Sequence, residues 1–384
     1  MEQLVKHTSL AKGALCTAIT FATALPALAV TDDEFNELKA QFEALADQVE
    51  ENSQNTSATT VGGYGELHYN NLSDGNNAGN EKKELDFHRF VLFFNHEFND
   101  DIRLFSELEI EHAFLEDTAD GSSSGAVELE QAYIQFDVSD NTRINAGLFL
   151  IPVGIINETH EPNTFYGVER NPVESNIIPT TWWEAGAAVT GNNDSGFSYD
   201  IAVTSGLDGG TSIRDGRQKV AKATANNLAG TGRVKYTGVA GLELAATLQY
   251  QDDMDQDSSS DVGSAILTQA HARWQISDVT LTGLYAQWDI DVKDTALQAD
   301  KDADKQIGYY LEASYKFNPE WGVFARQNVW DNSASGGVDT EETQTDIGIN
   351  YWPHENVVVK ADVQSQNDKG KNLDGFNLGI GYQF

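Results

Sequence analysis

Six arginines, Arg89, Arg103, Arg143, Arg233, Arg273 and Arg326, each lie on the less apolar face of a segment whose large apolar residues recur at every second position. A guanidinium stays charged at any relevant pH, so arginines gathered on one wall of a water-filled space would act on passing ions. Lys235, Lys316 and Lys360 share that face, and so do Glu66, Glu107, Glu109, Glu111, Glu184, Glu243, Glu312 and Asp362. An ordinary hydrated surface, with no selective role for any single charge, would show the same inventory. A second set of charges sits on one connection, "IPVGIINETHEPNTFYGVERNPVESNIIPTT", which carries Glu158, Glu161, Glu169 and Glu174 against one arginine, Arg170. Connections of about thirty residues are usually functional. This one either folds into the space that the arginines face, as a constriction, or lies outward as a surface loop.

Other chemistry is sparse. In "QDDMDQDSSSD", Asp253, Asp255 and Asp257 follow the first half of a calcium loop, but Ser258 and Ser264 stand where that loop needs Gly and a bidentate Glu. The readings left are weak divalent-ion bridging to lipopolysaccharide and a merely solvated acidic loop, whose other members are Asp252 and Asp261. Histidines 68, 88, 96, 112, 160, 271 and 354 show no paired metal spacing, so no metal or cofactor is expected. The only formal G-x-S-x-G match, "GSSSG" at 121–125, is a run of small polar residues in a connection between two period-two segments and does not follow a strand into a helix as a nucleophile elbow does, so an enzyme is not expected.

What must position these residues follows from the patterning. Lys6 and Lys12 precede an apolar run from Ala14 to Leu25, and Ala27-Leu28-Ala29 reads as a cleavage site, so residues 1–29 are expected to be a signal peptide. The only cysteine, Cys16, lies within that run with Leu15 before it, which disfavours lipidation and leaves the mature chain without thiols. In 30–52, Phe35, Leu38, Phe42, Leu45 and Val49 form a heptad seam behind a Thr31/Glu34 capping box. Such a short helix is marginal alone. It suits an oligomeric coiled coil, with an amphipathic helix packed on its own chain or plugging a barrel as the alternative. Residues 53–60 read as a polar linker.

From 61 to 384 only period-two segments follow, about sixteen of them, from Val61–Tyr69 to Gly375–Phe384. Tight turns such as "NDD", "SDN" and "NPE" alternate with long loops throughout. No segment reaches the length of a spanning helix, so an exported chain of this kind enters a membrane as a closed barrel. The reading is an all-β transmembrane antiparallel barrel with a short N-terminal periplasmic coiled-coil helix. Short turns face the periplasm and long loops face outward, as in bacterial outer-membrane barrels. Trp182, Trp183, Trp288, Trp321, Trp330, Tyr351 and Trp352 sit near strand ends, as interfacial girdles would. The final strand, "GFNLGIGYQF", ends on Phe384, which is expected to serve as the assembly signal.

"ELDFHRFVLFFNHEFNDDIRLFSELEIEH", "LEQAYIQFDVSDNTRINAGLFLIPVG" and "VERNPVESNIIPTTWWEAG" resemble the porin O/P family of outer-membrane porins, most strongly between Leu85 and Gly186. The resemblance implies a sixteen-stranded, trimeric, water-filled channel for small hydrophilic solutes or ions. Its better-known members are phosphate-selective and rich in lumenal Arg and Lys. This chain has 60 acidic against 24 basic residues and a net charge of −36, so the phosphate specificity does not carry over. A barrel enzyme and a plugged, ligand-specific transporter are the alternatives from other classes. The expected partners are a homotrimer, outer-membrane lipid and lipopolysaccharide, and the barrel assembly machinery, with no nucleic acid among them.

The seam gives the first prediction. Deleting residues 31–52 should leave trimers that dissociate at lower temperature on native gels, because barrel walls bury far more surface than two heptads. Monomer before any heating of the parent overturns the trimer.

Overall fold

The computed structural model describes residues 58–75, 77–114, 125–257, 261–367 and 372–384. The signal segment, the heptad residues Phe35, Leu38, Phe42, Leu45 and Val49, and the linker up to residue 57 lie outside the described residues. Sixteen strands follow: β1 Thr59–Asp74, β2 Lys82–Asn99, β3 Ile102–Glu111, β4 Ala126–Ser139, β5 Thr142–Leu150, β6 Trp183–Asn192, β7 Phe197–Thr204, β8 Ala229–Tyr236, β9 Leu242–Gln251, β10 Val262–Ile276, β11 Val279–Val292, β12 Lys305–Asn318, β13 Trp321–Asp331, β14 Glu342–His354, β15 Val357–Asn367 and β16 Leu373–Gln383. Each pairs with its neighbours in sequence order, and β1 pairs with β16 to close the barrel. The closing register sets Tyr64 opposite Gln383 and Leu67 opposite Ile380.

The alternation is inside out. On β9, Leu248 is 54% exposed while Gln249 and Gln251 are 2% exposed. Across the molecule the exposed positions of the strands hold residues such as Ile201, Val203, Leu311, Ile347, Val363 and Leu378. A sheet with apolar side chains outward and amides inward belongs in lipid around a hydrated lumen. Closure matters there because lipid offers no partner for an unpaired strand edge.

Strands outrun the apolar pattern. The period of two in β1 fades at Tyr69, yet Asn70 still pairs with Glu84 and Leu72 with Lys82. Lipid contact needs only about 9–11 residues of a tilted strand, so the polar extension is ladder standing clear of the membrane. The connections keep the expected alternation: two residues separate β2 from β3, β4 from β5 and β12 from β13, and long loops join the other ends. Gly241 turns one tight hairpin at φ +77°, where a Cβ would lie 2.4 Å from the Gln275 carbonyl.

The longest connection, 151–182, is largely buried or half-buried, with only Thr159 and Thr164 exposed. Its Ile151, Val153, Val173, Ile177, Ile178 and Trp182 pack in one cluster with inward residues Leu267, Leu284, Ala286, Trp288, Ile290 and Trp330 of β10, β11 and β13. Each large apolar side chain so buried stabilises by about 1.5–3 kcal/mol. This corrects the girdle for several aromatics: Trp182, Trp288 and Trp330 face the lumen and form the seat of the loop. Trp352 also turns inward, edge-on to Tyr166 at 5.6 Å. Trp321 and Tyr351 stack on each other at 4.3 Å, on the opposite alternation of β13 and β14.

Phe384 joins β1 through its backbone: Gly63 N–H donates to its carbonyl at 3.0 Å and its own N–H donates to Gly63 at 2.9 Å. Its ring is 58% exposed on the outer surface and stacks beside Phe90 at 6.3 Å. Phe384→Asp puts a carboxylate on the apolar face, where charge is poorly tolerated. The expected outcome is a sharp fall in folded outer-membrane protein, read by heat-modifiable migration; parental levels contradict the assignment.

Candidate functional site

Two side chains knot the loop. Asn157 donates to the carbonyls of Ile151 (2.8 Å) and Trp182 (2.9 Å) and accepts the Trp182 N–H at 2.7 Å, so it ties the loop's two roots together. The Glu174 carboxylate is wholly buried and accepts from the Ile155 and Ile156 N–H groups, both at 2.7 Å, and from the Tyr310 hydroxyl at 2.9 Å. Gly154, at φ +70°, lets that carboxylate close in, since a Cβ there would lie 2.5 Å from it. Glu174 is therefore spent on the loop's own framework and presents no face to solute.

Walls on several sides hold the loop. Trp288 Nε1–H donates to the Ile177 carbonyl at 2.9 Å. The Val168 N–H donates to Asp362 at 2.7 Å. From the loop between β7 and β8, Arg214 donates to the carbonyls of Ser175 (2.8 Å) and Thr180 (3.0 Å), and Arg217 to that of Thr181 (2.6 Å). His160 is buried with its Nε2 3.3 Å from Glu107 and 3.5 Å from Glu130. Burial alone would lower its pKa, but the Glu107 carboxylate and the Glu130 contact outweigh burial and lift it to about 10. The imidazolium pins the loop to β3 and β4. That contribution is fully present below the free imidazole value of about 6.5 and is lost as pH rises through about 10.

The arginines do not share one wall. Arg89 on β2, Arg233 on β8 and Arg326 on β13 are spread around the ring of strands. Each sits between two carboxylates: Arg89 with Glu66 at 2.7 Å and Glu109 at 3.6 Å, Arg233 with Asp200 at 2.7 Å and with the loop's Glu158, and Arg326 with Glu312 at 3.2 Å and Asp346 at 3.1 Å. Arg103 and Arg143 share Asp137 near a short turn, at 2.6 and 3.4 Å. Arg273 lines a cavity of about 490 Å³ with Tyr166, Lys316 and Trp352. Of the loop acids, Glu169 turns to His68 (3.3 Å) and Lys82 (3.5 Å). Glu161 enters the framework through its carbonyl, which accepts the Thr164 N–H at 3.0 Å. Lumenal polar atoms without a protein hydrogen bond, such as Thr231 Oγ1, Gln249 Oε1, Gln269 Oε1 and Arg170 Nη2, require water.

One grouping is absent from the linear spacing. The strands bring His68, His88 and His112 together with Asp86 and Glu169, so the lack of a paired spacing did not mean that the histidines lie apart. A β-bulge turns Arg89 to that same side. The β1–β2 register skips between Glu66 and His68, so β2 has an extra residue between Asp86 and Arg89. Simple alternation would set His88 and Arg89 on opposite faces, whereas here Arg89 reaches Glu66 and His88 reaches Asp86.

A family model described as Gram-negative porin matches residues 14–371. An uncharacterized protein of Aquifex aeolicus (strain VF5) is 32% identical over 356 residues, 85% of this chain and 80% of that one. Among solved structures, the trimer form of OmpT, an outer membrane protein of Vibrio cholerae, superposes with a TM-score of 0.55 at 14% identity, covering 85% of this chain and 100% of that chain. The outer membrane channel DcaP of Acinetobacter baumannii gives a TM-score of 0.56 at 14% identity, covering 85% and 97%. At these identities the structural likeness is one of fold, while the family match, broader than the porin O/P group, covers most of the sequence. Family and closed barrel together point to a channel in the outer membrane rather than an enzyme: the chain belongs to the Gram-negative porin family.

Proposed function

We propose that the protein is a diffusion porin, a homotrimer of water-filled channels through which small hydrophilic solutes and ions pass passively, with a lean toward cations at low salt. Its segments between Leu85 and Gly186 resemble those of the porin O/P type, and its acidic charge balance argues against that type's phosphate specificity. The observation that carries the reading is the inserted loop, which meets the wall at β8 through Glu158, at β1 through Glu169 and at β13 through the Tyr166 carbonyl. It narrows the lumen, and a cavity of about 410 Å³ beside it is lined by Glu158, Arg233, Asp200 and Arg143. With Arg89, Arg233 and Arg326 each held between two carboxylates, no unpaired guanidinium among these three faces the solute. Wet, exposed charge is screened over roughly 8 Å at physiological salt, so selectivity is modest and salt-dependent.

An anion-selective channel is the second reading, favoured by Arg170, Arg214 and Arg217 grouped on the loop and its cover. Burial and then the neighbouring Arg217 and Arg170 push Arg214 down to about 10, which leaves it charged at neutral pH. Arg214 and Arg217 spend donors on loop carbonyls, which ties part of that charge to structure.

Reversal potentials in planar bilayers under a low-salt gradient separate the two readings. The parent should show a large, nearly ohmic conductance and a cation lean. Changing Glu158, Glu161 and Glu169 together to Gln should shift the permeability ratio a few-fold toward anions, and an unchanged ratio removes the loop from the constriction. Glu174→Ala acts differently. It strands two buried N–H groups, at about 1–3 kcal/mol each, so current noise and mean conductance should rise with little change in selectivity. A quiet, parental trace from that variant argues against Glu174 as the knot of the loop.

A further inference from the structure

His68 of β1, His88 of β2 and His112, just past the end of β3, form a row on the lumenal wall. The rings of His68 and His88 stack at 4.6 Å, and those of His88 and His112 meet edge to face at 5.9 Å. Asp86 serves two of them at once: its Oδ2 lies 2.9 Å from His88 Nδ1 and its Oδ1 lies 2.7 Å from His112 Nδ1. The candidate ligand atoms of Asp86, His88 and His112 all lie within 4.8 Å of one another, and so do those of His68, His88 and Glu169.

The backbone departs from regular strand at two points around this row. Alternation already sets His88 on the face of Asp86, and the bulge in β2 turns Arg89 to that same side, packing its guanidinium and Glu66 against the row. His112 takes a left-handed φ of +53°, uncommon for a residue with a side chain, while its N–H donates to the His88 carbonyl at 3.1 Å. Stability alone gives little return for such an arrangement, since ion pairs open to water contribute about 0–1 kcal/mol. Bulges gather next to functional sites, where they re-aim a side chain.

The donor set names the ligand. Calcium and magnesium take oxygen donors, whereas imidazole nitrogens with a carboxylate suit zinc, nickel and copper. We propose that Asp86, His88 and His112 bind a late first-row divalent cation of the zinc class from the lumen, with His68 and Glu169 as adjoining donors and water completing the shell. A tetrahedral zinc with bonds of about 2.0–2.2 Å holds its ligand atoms about 3.3 Å apart. The two Asp86–His contacts, at 2.9 and 2.7 Å, therefore open by roughly half an ångström. The cation takes the place of the two Nδ1 hydrogens, with each neutral imidazole keeping its proton on Nε2. Side-chain exposures of 17% for Asp86, 24% for His88 and 43% for His112 leave room for entry and exchange. Glu169, on the inserted loop, reaches His68 at 3.3 Å and places the site beside the constriction.

Calorimetric titration of the full-length protein in detergent with zinc chloride tests this. One cation should bind per protomer, undisturbed by excess calcium or magnesium. The double variant His88→Ala/His112→Ala should weaken binding by at least about tenfold, and His112→Cys, which keeps a zinc donor, should retain it. Changing Asp252, Asp253, Asp255 and Asp257 to Asn should have no effect. Cobalt titration of the parent gives a readout that needs no variant: intense visible bands from a four-coordinate nitrogen-containing site support the proposal. A weak octahedral spectrum overturns it, as do undiminished zinc binding in the histidine double variant and loss of binding in the aspartate variant.

Discussion

Everything specific to this channel depends on how the lumen holds residues 151–182. A hydrated pore is a poor place for a long segment, because its backbone and side chains would stay solvated and mobile. The barrel meets this with an apolar seat: Leu267, Leu284, Trp288, Ile290 and Trp330 point inward where a porin lumen is otherwise polar, and Ile151, Val173, Ile177 and Trp182 settle on them. Burial supplies the attraction, and directed bonds supply the pose. Trp288 bonds the Ile177 carbonyl, Asp362 takes the Val168 N–H, and Glu174 and Asn157 close the loop on itself.

The strands were legible for a simple reason. Lipid on one face and water on the other impose a period of two that no other environment imposes through a whole chain, and the strict alternation of tight turns with long loops adds the handed ends. What could not be read is whatever breaks the period. The bulge before Arg89 shows in no local composition, so the place of Arg89 on the His88 side was hidden. The second bulge, at Glu130 between the pairs Glu107–Gln131 and Leu108–Leu129, helps bring Glu130 to His160 in the same way.

The candidate site was legible in its parts and illegible in its pairing. Arg89, Arg233 and Arg326 face inward, as their alternation required, but whether they gather or spread depends on which strands they occupy around the ring. Their carboxylate partners come from a neighbouring strand in most cases and from the loop in the case of Glu158. The loop acids read as one group because they are near in sequence. In space they diverge, Glu158 to β8, Glu169 to β1 and Glu174 inward, since a segment that crosses a lumen must present its successive residues to different walls. The tryptophans were misread for a related reason: proximity to a strand end says interface, and only the side of the strand says which one.

Spreading the arginines has an electrical consequence that a clustered wall would not. A single basic wall facing an acidic loop makes a strong transverse field at one level of the pore. Here Arg89, Arg233 and Arg326 are each met by carboxylates where they stand, so the field is a set of short-range charge pairs spread around the ring. Two of them, at Arg89 and Arg326, lie on the wall itself, and the third, at Arg233, borrows a carboxylate from the loop. For the diffusion porin we propose, such a lumen would discriminate weakly among small polar solutes, because no one site governs passage. Inward carboxylates also supply Asp86 and Glu169 to the histidine row, so the proposed cation lean and the proposed cation site would share one electrostatic origin.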